Sequence, residues 1–115
     1  MTSLLGVLVL QIEPAELIFP AAGGSQRARF MSTSESKMAF KVKSSNNECY
    51  RVNPVFGFIE PKGETIVEVI RIKGPPKDDK LVIEWADVPE SETDPRAPFL
   101  AQAQQGEVVV PVRAT

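Results

Sequence analysis

Histidine is missing from this sequence of 115 residues, and cysteine occurs only once, as Cys49. Without histidine, neither a Ser-His-Asp nor a Cys-His catalytic arrangement is available, and the commonest metal-binding side chain is also missing. A single cysteine cannot form a disulfide within the chain, which favours a reducing compartment. These absences exclude the most frequent hydrolytic sites and any fold held together by intrachain disulfides.

The sequence also lacks a large excess of charge of either sign. Its net charge is −2, so no basic field favours nucleic acid or an anionic lipid surface. The apolar stretch at residues 3–10 is too short to span a bilayer. It has no basic flank like that of a signal peptide, because the first positive side chain is Arg27. We therefore expect a buried first strand and a cytoplasmic protein that neither binds nucleic acid nor inserts into a membrane.

Long amphipathic helical stretches are missing too, because ten prolines and seven glycines interrupt the chain at short intervals. The segments between them are rich in Val, Ile, Phe and Thr, which favours short β-strands. A length of 115 residues suits one domain with one core. The sequence therefore predicts a single all-β domain over residues 1–115, built as a sandwich or a barrel.

Alternation of apolar and polar residues, together with turn residues, places the strands along the chain. The predicted strands are residues 5–12, 17–19, 27–31, 38–43, 50–53, 55–59, 65–72, 81–85 and 107–113. Residues 17–19 read as a short edge piece, and Pro111 predicts an edge position or a bulge for the last strand. Residues 65–72 carry apolar side chains on both faces, so the pattern assigns no buried face. Residues 88–105 have no clear period and are predicted to form a long loop, either functional or mobile.

Several strands have one clearly apolar face. The side chains predicted to point inward are Ala28, Phe30, Met38, Phe40, Val42, Leu81, Ile83 and Trp85. The only tryptophan, Trp85, is expected to be buried with Phe30 and Phe40 nearby. Lys80, Val82 and Glu84 then point to the opposite face of their strand.

No cluster of residues points to catalysis. The acids and the one cysteine lack the spacing of a metal site, and Gly23-Gly24 alone is a turn and not a phosphate-binding loop. Cys49 has no base beside it in the sequence and is expected to be a structural, partly buried thiol. Fifteen acids are present, but nothing in the sequence favours any two of them as a catalytic pair. We therefore expect no enzyme activity, cofactor, metal or small-molecule substrate.

One group of side chains is suited to binding another protein. In an immunoglobulin-like sheet the third strand pairs with the sixth, which would place residues 38–43 beside residues 81–85. The candidate site consists of Lys41, Lys43, Ser44, Ser45, Lys80 and Val82. Three ammonium groups around a small apolar side chain could bind an acidic peptide that carries a hydrophobic residue. Outward lysines also serve as ordinary solubility and edge-protecting residues, and the spacing leaves both interpretations open.

Five segments together resemble the major sperm protein (MSP) domain family. In chain order they are residues 10–19 (Leu-x-x-x-Pro-x-x-Leu-x-Phe), 40–45 (Phe-Lys-Val-Lys-Ser-Ser), 52–61 (Val-Asn-Pro, then Gly-x-Ile-Glu-Pro), 79–89 (Asp-Lys-x-x-x-Glu-Trp-x-x-x-Pro) and 109–112 (Val-Val-Pro-Val). Each segment alone is weak, but five in the correct order over nearly the whole chain are fairly specific. The resemblance implies a seven-stranded immunoglobulin-like β-sandwich without disulfides.

The family that the sequence resembles has two functional branches. One is a cytoskeletal protein of nematode sperm that dimerises and polymerises. The other, the VAP branch, reads short acidic FFAT peptides and adds a coiled coil and a membrane tail. The sequence ends at Thr115, directly after its last predicted strand, and Glu84-Trp85 with the following Asp-Val-Pro looks more like the sperm branch.

The resemblance therefore implies a non-enzymatic protein–protein interaction module of the nematode sperm-specific type. Such a module would associate with itself, as a homodimer or filament, or bind cytoskeletal or other sperm proteins. The alternative is a soluble, VAP-like reader of acidic FFAT-type peptides.

The peptide-binding residues of the VAP branch have uneven counterparts in this sequence. The positions that hold the acidic peptide are matched by Lys43, Ser44, Ser45 and Lys80. Val82 stands where a methionine lines the pocket. The positions where that branch has basic residues are occupied by Glu48, Cys49 and Asn53. The resemblance therefore implies that FFAT-type binding is weak or missing.

Overall fold

The structure of the protein is a computed structural model, which describes residues 9–115. Its elements are β1 Leu10–Glu13, β2 Leu17–Phe19, β3 Gly24–Ser32, β4 Lys37–Ser44, β5 Tyr50–Asn53, β6 Phe56–Ile59, β7 Glu64–Arg71, β8 Asp78–Val88, α1 Ala97–Leu100 and β9 Gly106–Ala114. Each predicted strand has a counterpart, although β8 is clearly longer than the sequence predicts. The part of the first predicted strand at residues 5–8 lies outside the described residues.

The strands form two sheets that pack face to face. One sheet has four strands in the order β1-β3-β7-β5, and the other has five in the order β2-β9-β8-β4-β6. The pairing of β2 with β9 is parallel, and the other pairings are antiparallel. The chain passes from one sheet to the other at every connection except that from β8 to β9, and the two shortest passages run from β1 to β2 and from β5 to β6. Each of these two short passages contains a proline, Pro14 or Pro54, that follows a cis peptide bond.

The strand count differs from the seven that the resemblance implies, because the described residues contain nine strands. The two additional strands arise where residues 10–19 and residues 50–59 are each divided in two. A proline has no N–H to give to a ladder of hydrogen bonds, which ends one piece, and pairing resumes in the other sheet. If each divided strand is counted once, the arrangement is the seven-stranded immunoglobulin-like sandwich.

Alternation along the strands builds one core between the two sheets. Seven of the side chains predicted to point inward are buried, namely Ala28, Phe30, Met38, Phe40, Val42, Leu81 and Ile83. The rings of Phe30 on β3 and Phe40 on β4 meet edge-on between the sheets, with centroids 5.0 Å apart. Such an aromatic pair stabilises the fold by about 0.5–1.5 kcal/mol beyond the burial of the two rings.

Trp85 is less buried than the sequence predicts. It lies opposite Phe40 of β4 and Gly106 of β9, and its side chain packs against the core while remaining partly exposed. A Cβ atom on Gly106 would come within 2.7 Å of the indole Nε1, so the ring lies over bare backbone at the first residue of β9. The position paired with Trp85 on β9 is a glycine, which has no side chain to cover the ring. The predicted inward direction is confirmed, and the predicted full burial is wrong.

Strand β7 carries apolar side chains on both faces, and the structure shows which of them point into the core and which point to solvent. Val67 and Val69 are buried in the core. Ile66, which alternates with them, is exposed on the outer face of the four-stranded sheet. The sequence could not make this distinction because both sets are β-branched and equally apolar.

The last residue of β7, Arg71, is a buried arginine whose side chain points inward. The guanidinium carbon of Arg71 lies 5.0 Å from the centroid of the Tyr50 ring, and its Nη2 donates to the carbonyl oxygen of Pro75 at 2.8 Å. Burial raises the pKa of the Tyr50 hydroxyl, and the Arg71 guanidinium opposes that rise. Cys49, next to Tyr50, is a free and partly buried thiol, as the sequence predicts.

Residues 88–105 contain more regular structure than the predicted loop. Strand β8 extends into the start of this segment, and α1 lies in its middle. The Nζ of Lys37 on β4 donates to the carbonyl oxygen of Glu92 at 2.7 Å. Phe99 of α1 meets Phe56 of β6 with ring centroids 6.0 Å apart. These contacts hold the segment over the outer face of the five-stranded sheet, so the predicted long loop is ordered by them and is interrupted by one short helix.

Strand β9 is open along part of one edge. Its neighbour on that side, β2, pairs only with residues 112–114. Pro111 therefore lies just outside the paired stretch, where a missing N–H removes no hydrogen bond of the ladder. The edge position predicted for the last strand is wrong, because β9 lies between β2 and β8, whereas β2 is the edge strand predicted for residues 17–19.

Candidate protein-interaction surface

The pairing of β4 with β8 brings together five of the six residues of the candidate site. Lys43 lies directly opposite Val82, and Lys41 lies opposite Glu84, which confirms the expected pairing of the third and sixth strands. Because the alternate residues of both strands point into the core, these side chains share the outer side of the sheet. The outward members of the candidate site are Lys41, Lys43, Ser45, Lys80 and Val82. We call this surface the outer β4–β8 face, and its role in peptide binding stays a prediction.

The charge of Lys43 is engaged within the protein. Its Nζ lies 3.0 Å from the Glu84 Oε2, and the Glu84 side chain is only 11% exposed. A poorly solvated carboxylate interacts with a lysine more strongly than an exposed one does, so Glu84 competes with carboxylates brought by a partner. Glu107 of β9 lies opposite Glu84 and adds a second acid to the same face.

Lys41 and Lys80 have different surroundings. The Nζ of Lys41 lies 5.7 Å from the centroid of the Phe56 ring, a cation–π arrangement that contributes about 0.5–1 kcal/mol at an exposed site. Lys80 is exposed, and within residues 9–115 it forms no ion pair. Of the three lysines, Lys80 is thus the one whose charge is most available to a partner.

The hydroxyl of Ser45 fixes a turn. It donates to the Asp79 Oδ1 at 3.0 Å, while the Asn46 Nδ2 donates to the Asp79 Oδ2 at 3.1 Å. The Lys80 N–H donates in turn to the Ser45 Oγ at 2.9 Å. The Asp79 side chain is only 3% exposed. These bonds tie the turn after β4 to the start of β8 and hold a buried acid beside the Lys80 end of the face.

Ser44 lies on the other side of β4. It is opposite the inward-pointing Leu81, and its Oγ accepts a hydrogen bond from the Asn46 N–H at 3.0 Å. Ser44 lines a separate groove with Tyr50 and Arg51. The structure therefore does not bring Ser44 together with the other five residues of the candidate site, because adjacent residues of a strand point to opposite faces.

Sequence reasoning missed the apolar residues that continue the outer β4–β8 face onto β9. Val109 lies opposite Val82, and its side chain is 48% exposed. Pro111 lies opposite Lys80, and Ile18 on the edge strand β2 is exposed as well. The alternation within residues 107–113 was the signal that could have found Val109 and Pro111.

Helix α1 and its flanking residues limit this face at its other end. Ala39 and Ala86, which lie opposite each other, are buried although they point away from the core. The Nζ of Lys37 lies 4.0 Å from the centroid of the Phe58 ring and contributes to the same covered region. The open part of the face therefore extends from Lys41 toward the start of β8.

The turn before α1 is held by Asp94. Its Oδ1 accepts a hydrogen bond from the Arg96 N–H at 3.0 Å. This bond, reinforced by the Arg96 guanidinium, lowers the pKa of the Asp94 carboxyl. The turn thereby positions Phe99 for its contact with the sheet.

The outer β4–β8 face offers a short apolar strip, Val82 and Val109, flanked by lysines and by two acids. A surface that combines apolar and charged side chains in this way can contact another protein. Within residues 9–115 no group of three or more potential ligands could hold a metal ion, and no helix has the length and apolarity needed to cross a membrane.

The family model of the MSP (major sperm protein) domain matches residues 9–108. The chain belongs to the MSP domain family. The match extends from the residue before β1 to the first residues of β9, so it includes strands β1 to β8 in full. The immunoglobulin-like sandwich described above is therefore the fold of an MSP domain.

Three relatives from Caenorhabditis elegans show how close the likeness is. Sperm-specific class P protein 31 is 57% identical over 107 residues, which cover 93% of this chain and 100% of the relative. The structure of WR4, an MSP family member, has a TM-score of 0.91 at 50% identity and covers 93% of this chain and 98% of that one. The structure of SSP-19, an MSP-domain-like protein, has a TM-score of 0.88 at 43% identity, with coverage of 92% and 99%. The MSP domain of this chain is thus similar to nematode sperm proteins in sequence and in fold.

Proposed function

We propose that this protein is a non-enzymatic interaction module in the cytoplasm of nematode sperm, where it associates with itself or binds other sperm or cytoskeletal proteins. The observation that carries the proposal is its 57% identity, over 93% of the chain, to sperm-specific class P protein 31. Identity at this level over nearly a whole domain favours a shared role as well as a shared fold.

The surface of the sandwich supports a role in protein contacts. Large apolar side chains are exposed on both sheets, with Ile18 and Val109 on the five-stranded sheet and Ile66 and Ile72 on the other. Apolar side chains that gather on a solvated sheet face are typical of interaction sites. Both sheet faces therefore offer exposed apolar side chains to a partner.

Reading of acidic FFAT-type peptides is the second candidate. It is favoured by the placement of Lys43, Lys80 and Val82 together on the outer β4–β8 face. Three features weaken it: Glu84 takes up the charge of Lys43, Ser45 is committed to Asp79, and valine offers less apolar contact than methionine. We therefore rank it below self-association and binding of sperm proteins.

The test is the molar mass of the purified protein by light scattering, from about 1 μM to about 1 mM, in the presence of a reductant that keeps Cys49 as a thiol. We expect a mass that rises with concentration, or a stable complex with a sperm or cytoskeletal protein when the chain is monomeric. In parallel, an FFAT-type peptide is titrated against the protein, and a dissociation constant above about 100 μM is expected at physiological salt.

The peptide titration separates the two candidates. A monomer at all concentrations that binds the peptide at low micromolar concentration, and loses it in a Lys43→Glu, Lys80→Glu double variant, would reverse the ranking. The matched control is Lys62→Glu, which changes a lysine in the turn between β6 and β7, outside the outer β4–β8 face.

A further inference from the structure

The outer face of the four-stranded sheet carries an unexpected row of isoleucines. Ile66 and Ile70 lie on the same side of β7, with Glu68 between them, and Ile72 directly follows the strand. Ile66 and Ile72 are 46% and 42% exposed. Strand β7 is an inner strand of this sheet. The solvated face of an antiparallel sheet normally carries polar residues. Exposed β-branched apolar residues at the centre of this sheet face therefore indicate a surface that binds a partner.

Charged residues surround this row and are matched in sign. The sheet's outward arginines are Arg27, Arg29 and Arg51, and its outward acids are Glu13, Glu64 and Glu68. We call this surface, with the isoleucines, the outer β3–β7 face. Equal numbers of both signs do not suit a nucleic acid, an acidic peptide or an anionic membrane, each of which needs a surface of one sign. They suit a surface that carries the same mixture.

The central charges are the ones left for a partner. Arg29 is occupied, because its guanidinium binds Glu13 at 3.1 Å and Glu64 at 2.8 Å. Arg27 is exposed and forms no ion pair within residues 9–115. Glu68 lies directly opposite Arg27 near the middle of the β3–β7 pairing, and its Oε2 accepts a hydrogen bond from the Ser25 hydroxyl at 2.8 Å.

We propose that the outer β3–β7 face binds the same face of a second copy of this chain, with Arg27 of each copy against Glu68 of the other. A two-fold axis parallel to the strands, placed above the gap between β3 and β7, puts β3 of one copy over β7 of the other. Because Arg27 and Glu68 are at the same level along the strands, the rotation brings each onto its opposite charge. A two-fold interface requires such self-complementarity.

The isoleucines supply the apolar part of this interface. Ile66 and Ile70 lie on either side of Glu68 along β7. In the dimer each of them faces the same residue of the other copy diagonally across the two-fold axis. One such pair lies on each side of the Arg27–Glu68 contacts. Removal of the exposed isoleucine side chains from water stabilises the dimer. The twist of two packed sheets, about 30°, concentrates the contact near the centre, where these residues lie.

The size of the face predicts a weak dimer. Eight paired positions of β3 and β7 extend about 27 Å, and four strands are about 19 Å wide, which gives roughly 500 Å² per copy. The total of about 1,000 Å² is at the lower limit for a specific interface. The dimer should therefore assemble at high protein concentration and separate on dilution.

The proposal rests on the proposed self-association and names the surface that performs it. The test measures dimerisation by sedimentation velocity for the unmodified protein, Arg27→Glu, Glu68→Arg and an equimolar mixture of the two variants. Each variant alone should dimerise at least tenfold more weakly, because both contacts across the axis then join like charges. In the mixture one chain carries glutamate at both positions and the other carries arginine at both. Dimers should therefore return, because both contacts across the axis then join opposite charges.

The mixture shows whether a variant fails to dimerise because the interface is lost or because the chain is less stable. Within each variant chain the same two positions are also opposite each other, and that like-charge contact remains in the mixture. Dimers in the mixture can therefore come only from pairing between chains. If the mixture stays monomeric while the unmodified protein dimerises, the surface is wrong although self-association stands. If the unmodified protein shows no dimer at all, the self-association fails together with the surface.

A second pair of variants tests the apolar part. Ile66 and Val109 are 46% and 48% exposed, on opposite sheets. Ile66→Lys should remove dimerisation, whereas Val109→Lys should leave it unchanged, with melting temperatures measured for both. Loss of the dimer in Val109→Lys alone would assign self-association to the outer β4–β8 face and overturn the proposal.

Discussion

The side chains of Lys43 and Glu84, 3.0 Å apart, determine how the outer β4–β8 face meets an acidic partner. A lysine on a strand attracts the carboxylates of a partner strongly only when it forms no ion pair within its own protein. Glu84 is poorly solvated, so it holds the lysine closely, and an acidic peptide must displace it or accept a weakened contact. A resemblance in sequence shows that a lysine is present at this position. It does not show that an acid of the same protein, Glu84, already pairs with that lysine.

Trp85 gives a prediction at the scale of one residue. Its indole packs against the core but stays partly exposed, so Trp85→Ala should lower the free energy of unfolding by about 2–3 kcal/mol, less than the 3–5 kcal/mol typical of a fully buried aromatic. Chemical denaturation followed by circular dichroism measures this, since the variant has no tryptophan fluorescence. Trp85→Phe is the matched control, with an expected loss of about 1 kcal/mol. A loss below about 0.5 kcal/mol in Trp85→Ala would mean that the ring does not contact the core.

At the scale of elements, an ion-pair cluster ties three neighbouring strands together. Arg29 on β3 binds Glu13 of β1 and Glu64 of β7. The hydrogen bond from Arg29 lowers the pKa of Glu64 below its ordinary value of 4.5 and raises that of Arg29. A carboxyl whose folded pKa is lowered stabilises the fold above its unfolded pKa, and this contribution is lost as the pH falls through the folded pKa.

The stability of the protein should therefore depend on pH through Glu64. At about pH 7 the unmodified protein should melt at a higher temperature than Glu64→Gln, and the difference should shrink as the pH falls below about 4.5. The effect is small because both side chains are exposed. Melting curves of the two proteins across this range measure it, with Glu48→Gln as a control at an exposed acid. A difference that grows toward acid would show that the sign is wrong.

The elements also show what the sequence could predict. Strands β4 and β8 alternate cleanly, since Met38, Phe40 and Val42 have lysines between them, so their faces and their outward lysines follow from the pattern. Strand β7 does not alternate, because Ile66 and Ile70 on its outer side are as apolar as its core residues. Residues 88–105 gave no period because isolated contacts, such as that of Phe99 with Phe56, hold the segment and its four-residue helix to the sheet. Contacts made by single residues leave no periodic signal in a sequence.

For the whole molecule, the sandwich presents two faces of different character. The outer β4–β8 face combines lysines, acids and a short apolar strip, and part of it is already covered by α1 and its flanking residues. The outer β3–β7 face has isoleucines among charges of balanced sign. The structure brings five residues of the candidate site together on the first face, but Ser44 lies on the other side of β4 because it alternates with the outward-pointing Lys43. The second face could not be predicted, since it depends on the register that places Arg27 opposite Glu68.

A dilution series followed by two-dimensional ¹H–¹⁵N NMR tests the central claim, self-association through the outer β3–β7 face, most directly. The spectra are recorded from about 1 mM down to about 20 μM at physiological salt with reductant, after assignment of the backbone. We expect concentration-dependent shifts or broadening at the amides of β3 and β7, centred on Arg27 and Glu68, with β4 and β8 unchanged. Spectra that do not change with concentration, or changes confined to β4 and β8, would contradict it.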